Sequence, residues 1–356
     1  MTAGGVLHVL TDTDRRGGQI FGIDLAEALA VRGHENTTMA LAPGKFGNLL
    51  PVAALGRTRL GVGTLTALRS AIRTAGVVVA HGSSTLPACA IASAGIDVPV
   101  IYRQISDSLF WADTTFKRMR VRGYLRRMSR VVALWSGAAA TLSSTFRVPE
   151  DHISIIPNGV PARRFNGPAS DPTRRAARSN LGLDPDRPTA VYVGALVPEK
   201  GVDVAVRAAG QLPEVQLLIA GDGPERPALE ALARSIDGSR IVFAGALDEP
   251  TDAYDAGDVI VLPSLGGDSM PAVLIEAGFC GLPAVATPIA AIADIVLDGR
   301  SGRLVPVGDV SALARGIREV VGARDVLGEA ARQHCMASFE IGVVAASWER
   351  VISEVA

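Results

Sequence analysis

Cysteine, lysine and aromatic residues are all scarce in this chain of 356 residues. Its three cysteines, Cys89, Cys280 and Cys335, form no CxxC pair, which argues against a disulfide framework and against a zinc-finger spacing. We expect them to be reduced, packed thiols in a cytosolic protein. Only three of the 35 basic residues are lysines, and Lys200 is the only lysine in the second half of the chain.

Long apolar runs are also missing. The mean hydropathy is high at +0.28. A membrane span needs about 18 apolar residues in a row, but Asp, Arg, Pro or Gly interrupts every apolar run well before that length. The N-terminus, MTAGGVLHVLTDTD, lacks the basic start and the cleavage site of a signal peptide, so we expect a cytoplasmic protein. The composition is that of a globular protein, and the length suits two domains.

Several motifs of catalysis are absent. The sequence contains no phosphate-binding GxxxxGK[ST] loop, no GxSxG nucleophile motif and no zinc-ligand spacing. No GxGxxG follows the first predicted strand, which disfavours a dinucleotide-dependent dehydrogenase. We therefore predict no metal site and no cofactor of these kinds.

The net charge of −1 hides an asymmetry. Residues 1–165 carry 19 Lys and Arg against 10 Asp and Glu, whereas residues 166–356 carry 16 against 26. The split indicates two domains with different tasks, and the basic half could face an acidic partner or a membrane surface. Its most basic stretch, 117–130, interleaves arginines with apolar residues. Such a helix could contact anionic lipid at the inner face of a membrane, or it could simply pack one face onto the domain. No feature predicts a nucleic-acid partner.

Strand and helix patterns alternate along the first half. Short apolar runs predict strands at GVLHVL, VVVAH (77–81), PVIYR (99–103) and AAATLS (138–143), with helices between them. Strand–helix–strand alternation is typical of a parallel sheet with helices on both faces.

The alternation resumes after a segment at 166–188 that is rich in Pro, Arg and Asp and is predicted to be a linker. Strands are predicted at TAVYVGA, VQLLIAG, RIVFAG, DVIVLPS and PAVAT, and helices near 309–321 and 341–354 follow. We therefore predict an α/β protein with two doubly wound, Rossmann-like domains that face a central cleft. Such sheets bind ligands at the carboxyl ends of their strands.

Two glycines, Gly17 and Gly18, lie between the first strand and the first helix. Glycine lets a backbone approach a ligand closely, and the helix start behind it offers free N–H groups to an anion such as phosphate. An ordinary flexible turn is an equal alternative. A second glycine-containing turn, 220–225, is favoured as purely structural.

The strongest pattern runs from Pro263 to Glu276. Ser269 can cap a helix that has Pro271 in its first turn, so that the helix dipole attracts an anion. Glu276 then lies roughly 8 Å along the axis, where a carboxylate can accept hydrogen bonds from a ribose diol. Lys200 lies in the turn PEKG that follows a predicted strand, and a compact ammonium there suits phosphate oxygens. The helix start and Glu276 together predict a nucleotide site, with a backbone-satisfied carboxylate as the alternative. Lys200 is a separate candidate for a phosphate contact, with a solvated lysine as the alternative.

Three polar residues end strands of the first half: His81, Arg103 and Gln104. They are candidates for contact with an acceptor substrate. Packed positions inside the domain are at least as compatible with the pattern.

These motifs, in this order and spacing, resemble glycosyltransferase family 4, the retaining enzymes of the GT-B fold. The likeness covers most of the chain and rests on RGGQ with LAEALAVRGHE, SIIPNGV (154–160), YVGALVPEKG, LLIAGDGPE, VLPS with DSMPAVLIEAGFCGLPAVAT, and IVLDGRSGRLVPVGD. It implies an acceptor-side domain at 1–165, which the C-terminal helix 341–356 would rejoin. It also implies a nucleotide-sugar-binding domain at 189–340.

The resemblance also implies roles for individual residues. Lys200 would neutralise the donor diphosphate, and Asp268, in the place of the first acid of the family's E-x7-E pattern, would lie near the transferred sugar. Glu276, in the place of the second acid, would hold the donor ribose. The remaining donor-binding candidates are Gly17, Gly18, Leu247, Ser269, Met270 and Pro271.

Four positions depart from the family pattern. Ala195 stands where the family often has an arginine on the diphosphate, which removes a phosphate contact that Arg103 or Arg16 would have to replace. Asp268 is one methylene shorter than the usual Glu, and Gln104 replaces a common His. Pro-Ile-Ala-Ala replaces a Gly-Gly turn near 288–291.

The resemblance implies a retaining enzyme that moves a hexosyl unit from a nucleotide-diphosphate sugar to a sugar, lipid-linked or small-molecule acceptor. In front-face attack, the leaving diphosphate takes the acceptor proton while Lys200 and helix N–H groups stabilise its charge, so that no metal is needed. A nucleotide-sugar epimerase of the same fold and a non-catalytic nucleotide-sugar-binding protein are the alternatives.

Overall fold

The chain divides into two compact units in its computed structural model. The first unit comprises Met1–Pro161 and Phe339–Ala356, and the second comprises Ala162–Ser338. The first boundary thus lies at 161, four residues before the position expected from the sequence. The structure describes residues 4–45, 49–105, 112–236, 240–247 and 250–356.

Seven parallel strands form the sheet of the first unit, in the order β3-β2-β1-β4-β5-β6-β7. The strands are β1 (Val6–Leu10), β2 (Asn36–Ala40), β3 (Ala53–Ala54), β4 (Val77–His81), β5 (Val100–Arg103), β6 (Arg130–Ala133) and β7 (Ile153–Ile155). The helices are α1 (Gly17–Val31), α2 (Val62–Thr74), α3 (Thr85–Ala92), α4 (Thr115–Leu125), α5 (Ser136–Ser144) and, at the end of the chain, α14 (Ile341–Val355). The strand order reverses between β1 and β4, and such a switch point opens a crevice at the carboxyl ends of the two strands.

Strand β4 shows why the apolar runs are continuous. Val77 and Val79 join the core cluster that contains Trp348, whereas Val78 and Ala80 join the cluster on the opposite face. Successive side chains point to opposite faces, and helices cover both, so every position of the strand is buried.

The C-terminal helix α14 packs in the first unit. Trp348 is fully buried in the same cluster as Phe21 and Leu25 of α1. Polar contacts add to this packing, since Arg130 donates to Glu354 at 2.6 Å.

Six parallel strands form the sheet of the second unit, in the order β10-β9-β8-β11-β12-β13. The strands are β8 (Thr189–Val193), β9 (Gln216–Ala220), β10 (Ile241–Gly245), β11 (Val259–Leu262), β12 (Ala284–Ala286) and β13 (Gly302–Leu304). The helices are α6 (Asp171–Asn180), α7 (Val202–Gly210), α8 (Arg226–Ile236), α9 (Thr251–Ala256), α10 (Ala272–Phe279), α11 (Ile292–Ile295), α12 (Val310–Gly322) and α13 (Arg324–Phe339). The switch point of this sheet lies between β8 and β11. The predicted architecture, two parallel-sheet α/β domains, is confirmed.

The segment predicted as a linker, 166–188, is packed onto the second unit. Ser170 caps α6 by accepting a hydrogen bond from the Thr173 N–H at 3.3 Å. Arg178 is buried and donates to Asp258 at 2.6 Å and to the Ala256 carbonyl at 2.8 Å. A buried guanidinium with these partners ties α6 to the chain just before β11, so the segment is part of the second unit.

Two predictions of local structure are wrong. The run AAATLS, predicted as a strand at 138–143, lies in α5, where Ala138 and Leu142 are the buried positions. Their spacing of four residues is helical, and alanine has the strongest helix propensity, so the apolar run misled the prediction. The basic stretch 117–130 is not one helix either, because α4 ends at Leu125 and β6 begins at Arg130.

Among the described residues, no helix combines the length and the apolar composition that crossing a membrane requires.

Candidate functional site

In the second unit, two loops meet beyond the switch point between β8 and β11. The turn Pro198–Lys200 follows β8, and a loop follows β11. The N–H of Leu265 donates to the Glu199 carbonyl at 2.8 Å, which ties the two loops together. Gly201 closes the turn with a φ of +60°, and a Cβ there would lie 2.3 Å from the Pro263 carbonyl oxygen. Only glycine fits this approach, which fixes where Lys200 stands.

Lys200 and Asp268 form an ion pair across the two loops. The Lys200 ammonium donates to Asp268 Oδ1, and the Ser264 hydroxyl donates to Oδ2 of the same carboxylate. The Asp268 side chain is 8% exposed and that of Lys200 is 24% exposed, so the ammonium is the solvent-facing partner. Burial, followed by the negative charge of Asp268, raises the pKa of Tyr192 nearby. The Asp268 carboxylate is therefore held between Ser264 and Lys200, and the Lys200 ammonium remains accessible to solvent.

Helix α10 begins beside this pair without a side-chain cap. Pro271 is its extended N-cap residue, and no side chain accepts from the first turn. The predicted Ser269 cap is therefore wrong. Pro271, with a ψ of 118°, already occupies the cap position, two residues after Ser269. The Ser269 carbonyl instead accepts from the Ala291 N–H at 2.9 Å. The first-turn N–H groups of a helix without a side-chain cap are suited to an anion.

Glu276 lies in α10, and Tyr254 orients it. The Tyr254 hydroxyl donates to Glu276 Oε2 at 2.6 Å, and Tyr254 itself is buried. Burial, followed by the charge of Glu276, raises the pKa of Tyr254 well above its usual value, so the phenol stays a donor. The Glu276 side chain is only partly buried, so its carboxylate is positioned and within reach of solvent.

The remaining donor-side candidates include two apolar side chains, Leu247 and Met270. Leu247 follows β10 and packs against the cluster that contains Val191 and Ala220. Met270 is buried. Ala195 is exposed, and its carbonyl accepts from the Tyr192 hydroxyl at 2.8 Å.

In the first unit, Gly17 and Gly18 are the first two residues of α1. Arg16 precedes them as an N-cap residue whose side chain makes no cap hydrogen bond. Gly17 has open space where a Cβ would stand, whereas a Cβ on Gly18 would lie 2.8 Å from the Ile105 side chain. The helix start is thus accessible at Gly17.

The acceptor-side candidates His81, Arg103 and Gln104 are each at most 2% exposed. His81 hydrogen-bonds to His8 at 3.1 Å, and burial, followed by its charged neighbours, lowers the pKa of His81 well below the usual histidine value. Arg103 donates to Asn158 and stacks on the Phe21 ring at 3.8 Å, and burial lowers its pKa to about 9. All three side chains are thus buried inside the first unit. Their direct contact with an acceptor stays a prediction.

A charged cluster that the sequence patterns did not predict lies after β1. Asp12 is 2% exposed and accepts from Arg16 at 2.6 Å, from Gln19 at 2.9 Å and from Arg59 at 2.6 Å. Burial opposes ionisation, but hydrogen bonds from Arg16 and its neighbours outweigh burial and lower the pKa of Asp12. The feature of the sequence that points to this cluster is an acid directly after a strand, in TDTD.

Within the described residues, no group of three or more His, Cys, Asp or Glu side chains is arranged to hold a metal ion.

Two family descriptions match this chain side by side. "Glycosyltransferase Family 4" matches residues 15–164, in the first unit apart from its last three residues, and "Glycosyl transferases group 1" matches residues 187–322, in the second. Together with the two parallel-sheet domains, they show that the chain belongs to glycosyltransferase family 4 and has the GT-B fold.

Curated relatives share about a third of their aligned residues with this chain. The D-inositol 3-phosphate glycosyltransferase of Mycolicibacterium paratuberculosis is 34% identical over 242 residues, which is 63% of this chain and 53% of that protein. The sulfoquinovosyl transferase SQD2 of Arabidopsis thaliana is 33% identical over 183 residues, 49% of this chain and 35% of that protein. The matches thus span between a third and about half of these relatives' lengths.

Solved structures show the same fold at lower identity. Anabaena Alr3699/HepE, crystallised with UDP, has a TM-score of 0.88 at 20% identity, and the match covers 98% of this chain and all of that one. Sucrose-phosphate synthase from Thermosynechococcus elongatus has a TM-score of 0.80 at 21% identity, covering 98% of both chains.

Proposed function

We propose that this protein is a retaining glycosyltransferase that moves a hexosyl unit from a nucleotide-diphosphate sugar to a sugar, lipid-linked or small-molecule acceptor. The observation that carries the proposal is the accessible Lys200 ammonium beside the uncapped start of α10. A diphosphate needs a cation and directed N–H donors, and this edge of the second sheet supplies both.

Each residue of the site has a step to perform. Lys200 and the first-turn N–H groups of α10 hold the diphosphate and stabilise its charge as the bond to the sugar breaks. Glu276, positioned by Tyr254, accepts from the ribose hydroxyls. Asp268 lies beside Lys200 and accepts from a sugar hydroxyl. Because these groups stabilise the leaving diphosphate, we propose that the reaction needs neither a metal ion nor a cofactor.

The relatives support this substrate class. One is described as a GDP-mannose-dependent mannosyltransferase of Mycolicibacterium smegmatis, 33% identical over 187 residues. Others are described as D-inositol 3-phosphate glycosyltransferases. A structure of Alr3699/HepE was obtained with UDP-glucose. We infer a nucleotide-diphosphate sugar as the donor, and these names leave the base open between UDP and GDP.

Turnover of UDP-, GDP-, ADP- and TDP-sugars with EDTA present tests the proposal. The full chain is incubated with each donor and a panel of neutral and phosphorylated sugars, and NMR follows the anomeric proton of the product. We expect one base to be used, the donor's anomeric configuration to be kept and EDTA to have no effect. An inverted product would refute retention, and complete loss of turnover in EDTA would refute metal independence. Binding of a nucleotide-sugar without turnover would favour the non-catalytic alternative, which the missing arginine at Ala195 motivates.

We further propose that α4 mediates peripheral contact with anionic membranes. Phe116 is 68% exposed and Met119 is 62% exposed. In the sequence these two apolar residues flank Lys117 and Arg118. Apolar side chains beside cations suit the boundary between lipid headgroups and acyl chains. We expect Phe116→Ser with Met119→Ser to lower binding to phosphatidylcholine–phosphatidylglycerol vesicles by roughly tenfold or more. Co-sedimentation measures this, and Val31→Ser, which changes an exposed residue of α1, is the control. Equal binding of both variants would contradict the proposal.

A further inference from the structure

A cavity of about 420 Å³ lies in the first unit, where the carboxyl end of β4 leads into α3. Its polar lining comes from Arg59, Ser83, Ser84, Arg120 and Tyr124, and Leu86 and Val121 are among its apolar lining residues. Sites for small molecules usually have volumes of about 300–1,000 Å³, and this cavity falls in that range. The cavity adjoins the switch point between β1 and β4, where sheets of this type bind ligands.

Arg59 is held in place at the cavity. Its Nη2 donates to the buried Asp12 carboxylate at 2.6 Å, and its Nη1 lies 3.4 Å from the Ser84 hydroxyl. Arg16 donates to the same carboxylate. Arg16 also lies 3.7 Å from Asp14, so two guanidinium groups face two carboxylates and the cluster is balanced in charge. The contact with Asp12 fixes the orientation of Arg59 at the cavity.

Arg120 supplies a second guanidinium from α4. It is exposed, and no carboxylate within the described ranges pairs with it. None of the described residues that line the cavity is acidic. Arg120 with its guanidinium unpaired among the described residues, Arg59 oriented by Asp12, and the hydroxyl groups around them match the oxygens of a phosphate group.

We propose that this cavity binds a phosphate group carried by the acceptor, so that the acceptor is a phosphorylated sugar or polyol. The inference rests on the proposed transferase function and names its acceptor class. Arg59 and Arg120 hold the phosphate oxygens, the serine hydroxyls complete the contacts, and the apolar wall packs against the carbon skeleton. The same chemistry serves a free phosphate monoester and a phosphodiester headgroup of a lipid.

Calorimetric titration of the full chain with glycerol 3-phosphate, with glycerol as the neutral control, tests this site. The titrations use a Lys200→Ala background, so that phosphate bound at the donor site does not contribute. We expect saturable binding of glycerol 3-phosphate and none of glycerol. Arg120→Gln is expected to weaken binding by about tenfold, because it removes a charge-assisted contact with the phosphate, and no ion pair of Arg120 within the described part of the chain is lost with it. Arg73→Gln is the control, because it removes the same charge at an exposed position in the last turn of α2. We expect it to change binding by no more than about twofold, because solvent screens the charge of an exposed residue.

Glycerophosphoglycerol, the deacylated headgroup of phosphatidylglycerol, distinguishes the two sources. Tighter binding of the monoester indicates a free sugar or polyol phosphate, and equal or tighter binding of the diester indicates a lipid headgroup. Arg59→Gln serves as a second variant, with its melting temperature checked because it leaves Asp12 with one cation fewer. The proposal is overturned if glycerol 3-phosphate does not bind, or if Arg120→Gln binds it as well as the parent does. Turnover of a nucleotide-sugar onto a neutral acceptor would then show that the transferase function stands and only the acceptor class is wrong.

Discussion

Lys200→Ala is expected to lower kcat/KM by about a thousandfold, which is about 4 kcal/mol of transition-state stabilisation. The ammonium is the accessible cation of the pair with Asp268, and negative charge grows on the diphosphate as the glycosidic bond breaks. Its loss also leaves the Asp268 carboxylate facing that charge. Steady-state kinetics with saturating acceptor measure the effect, and the melting temperature should change little because the Lys200 side chain is partly exposed.

A double-mutant cycle separates the two contributions. Asp268→Asn removes the negative charge while Ser264 can still hydrogen-bond to the side chain. If repulsion by an unpaired Asp268 explained the defect, Lys200→Ala with Asp268→Asn would recover most of the activity. We expect only partial recovery, since the cation itself acts on the diphosphate. Arg207→Ala, at an exposed position of α7, is the matched control for loss of a cation. A similar loss in that control, or unfolding of Lys200→Ala, would contradict the assignment.

The exposed Ala195 makes this dependence on Lys200 steeper. In the family pattern an arginine at this position shares the diphosphate, and here only a methyl group faces solvent after β8. Because the Ala195 carbonyl is already held by Tyr192, the backbone of the turn is fixed without that arginine. Under the proposed function, the second unit therefore assigns to one lysine a task that two cations share in the family pattern.

Sequence patterns predict best what depends on neighbours along the chain. The strands around Val77–His81 and Thr189–Val193 are continuous apolar runs, which the structure places at the centres of two sheets. Lys200 and Asp268 are 68 residues apart, and they come together because both follow strands that are adjacent in the sheet, β8 and β11. The resemblance to glycosyltransferase family 4 grouped them, and the rule that ligands bind at the carboxyl ends of strands agrees with that grouping.

Contacts that depend on side-chain packing escaped prediction. The pairing of Asp12 with Arg59 joins residues 47 apart through a loop with no regular pattern. The hydrogen bond from Tyr254 to Glu276 depends on how α9 packs beside α10, which hydrophobic periodicity does not reveal. His81 and Arg103 ended their strands as predicted, yet burial by α1 and α14 turned their side chains into interior contacts.

Glu276→Gln is expected to weaken binding of the nucleoside diphosphate by roughly thirtyfold, because two charge-assisted hydrogen bonds to a ribose become weaker neutral ones. Tyr254→Phe keeps the carboxylate but removes the donor that orients it, so a smaller loss of roughly fivefold is expected. Isothermal titration with the preferred nucleotide measures both effects. Glu329→Gln, at an exposed position of α13, is the control and should bind like the parent.

The 2′-deoxy analogue of the nucleotide makes this test specific for the ribose. The parent protein should bind the analogue more weakly than the natural nucleotide, because one hydroxyl that donates to Glu276 is missing. In Glu276→Gln that difference should shrink, since the lost hydroxyl no longer donates to a carboxylate. An unchanged difference would show that Glu276 does not contact the ribose. Glu276 and Tyr254 would then be a structural pair that links α9 to α10, and Lys200 and Asp268 would be left as the side chains of the second unit assigned to the donor.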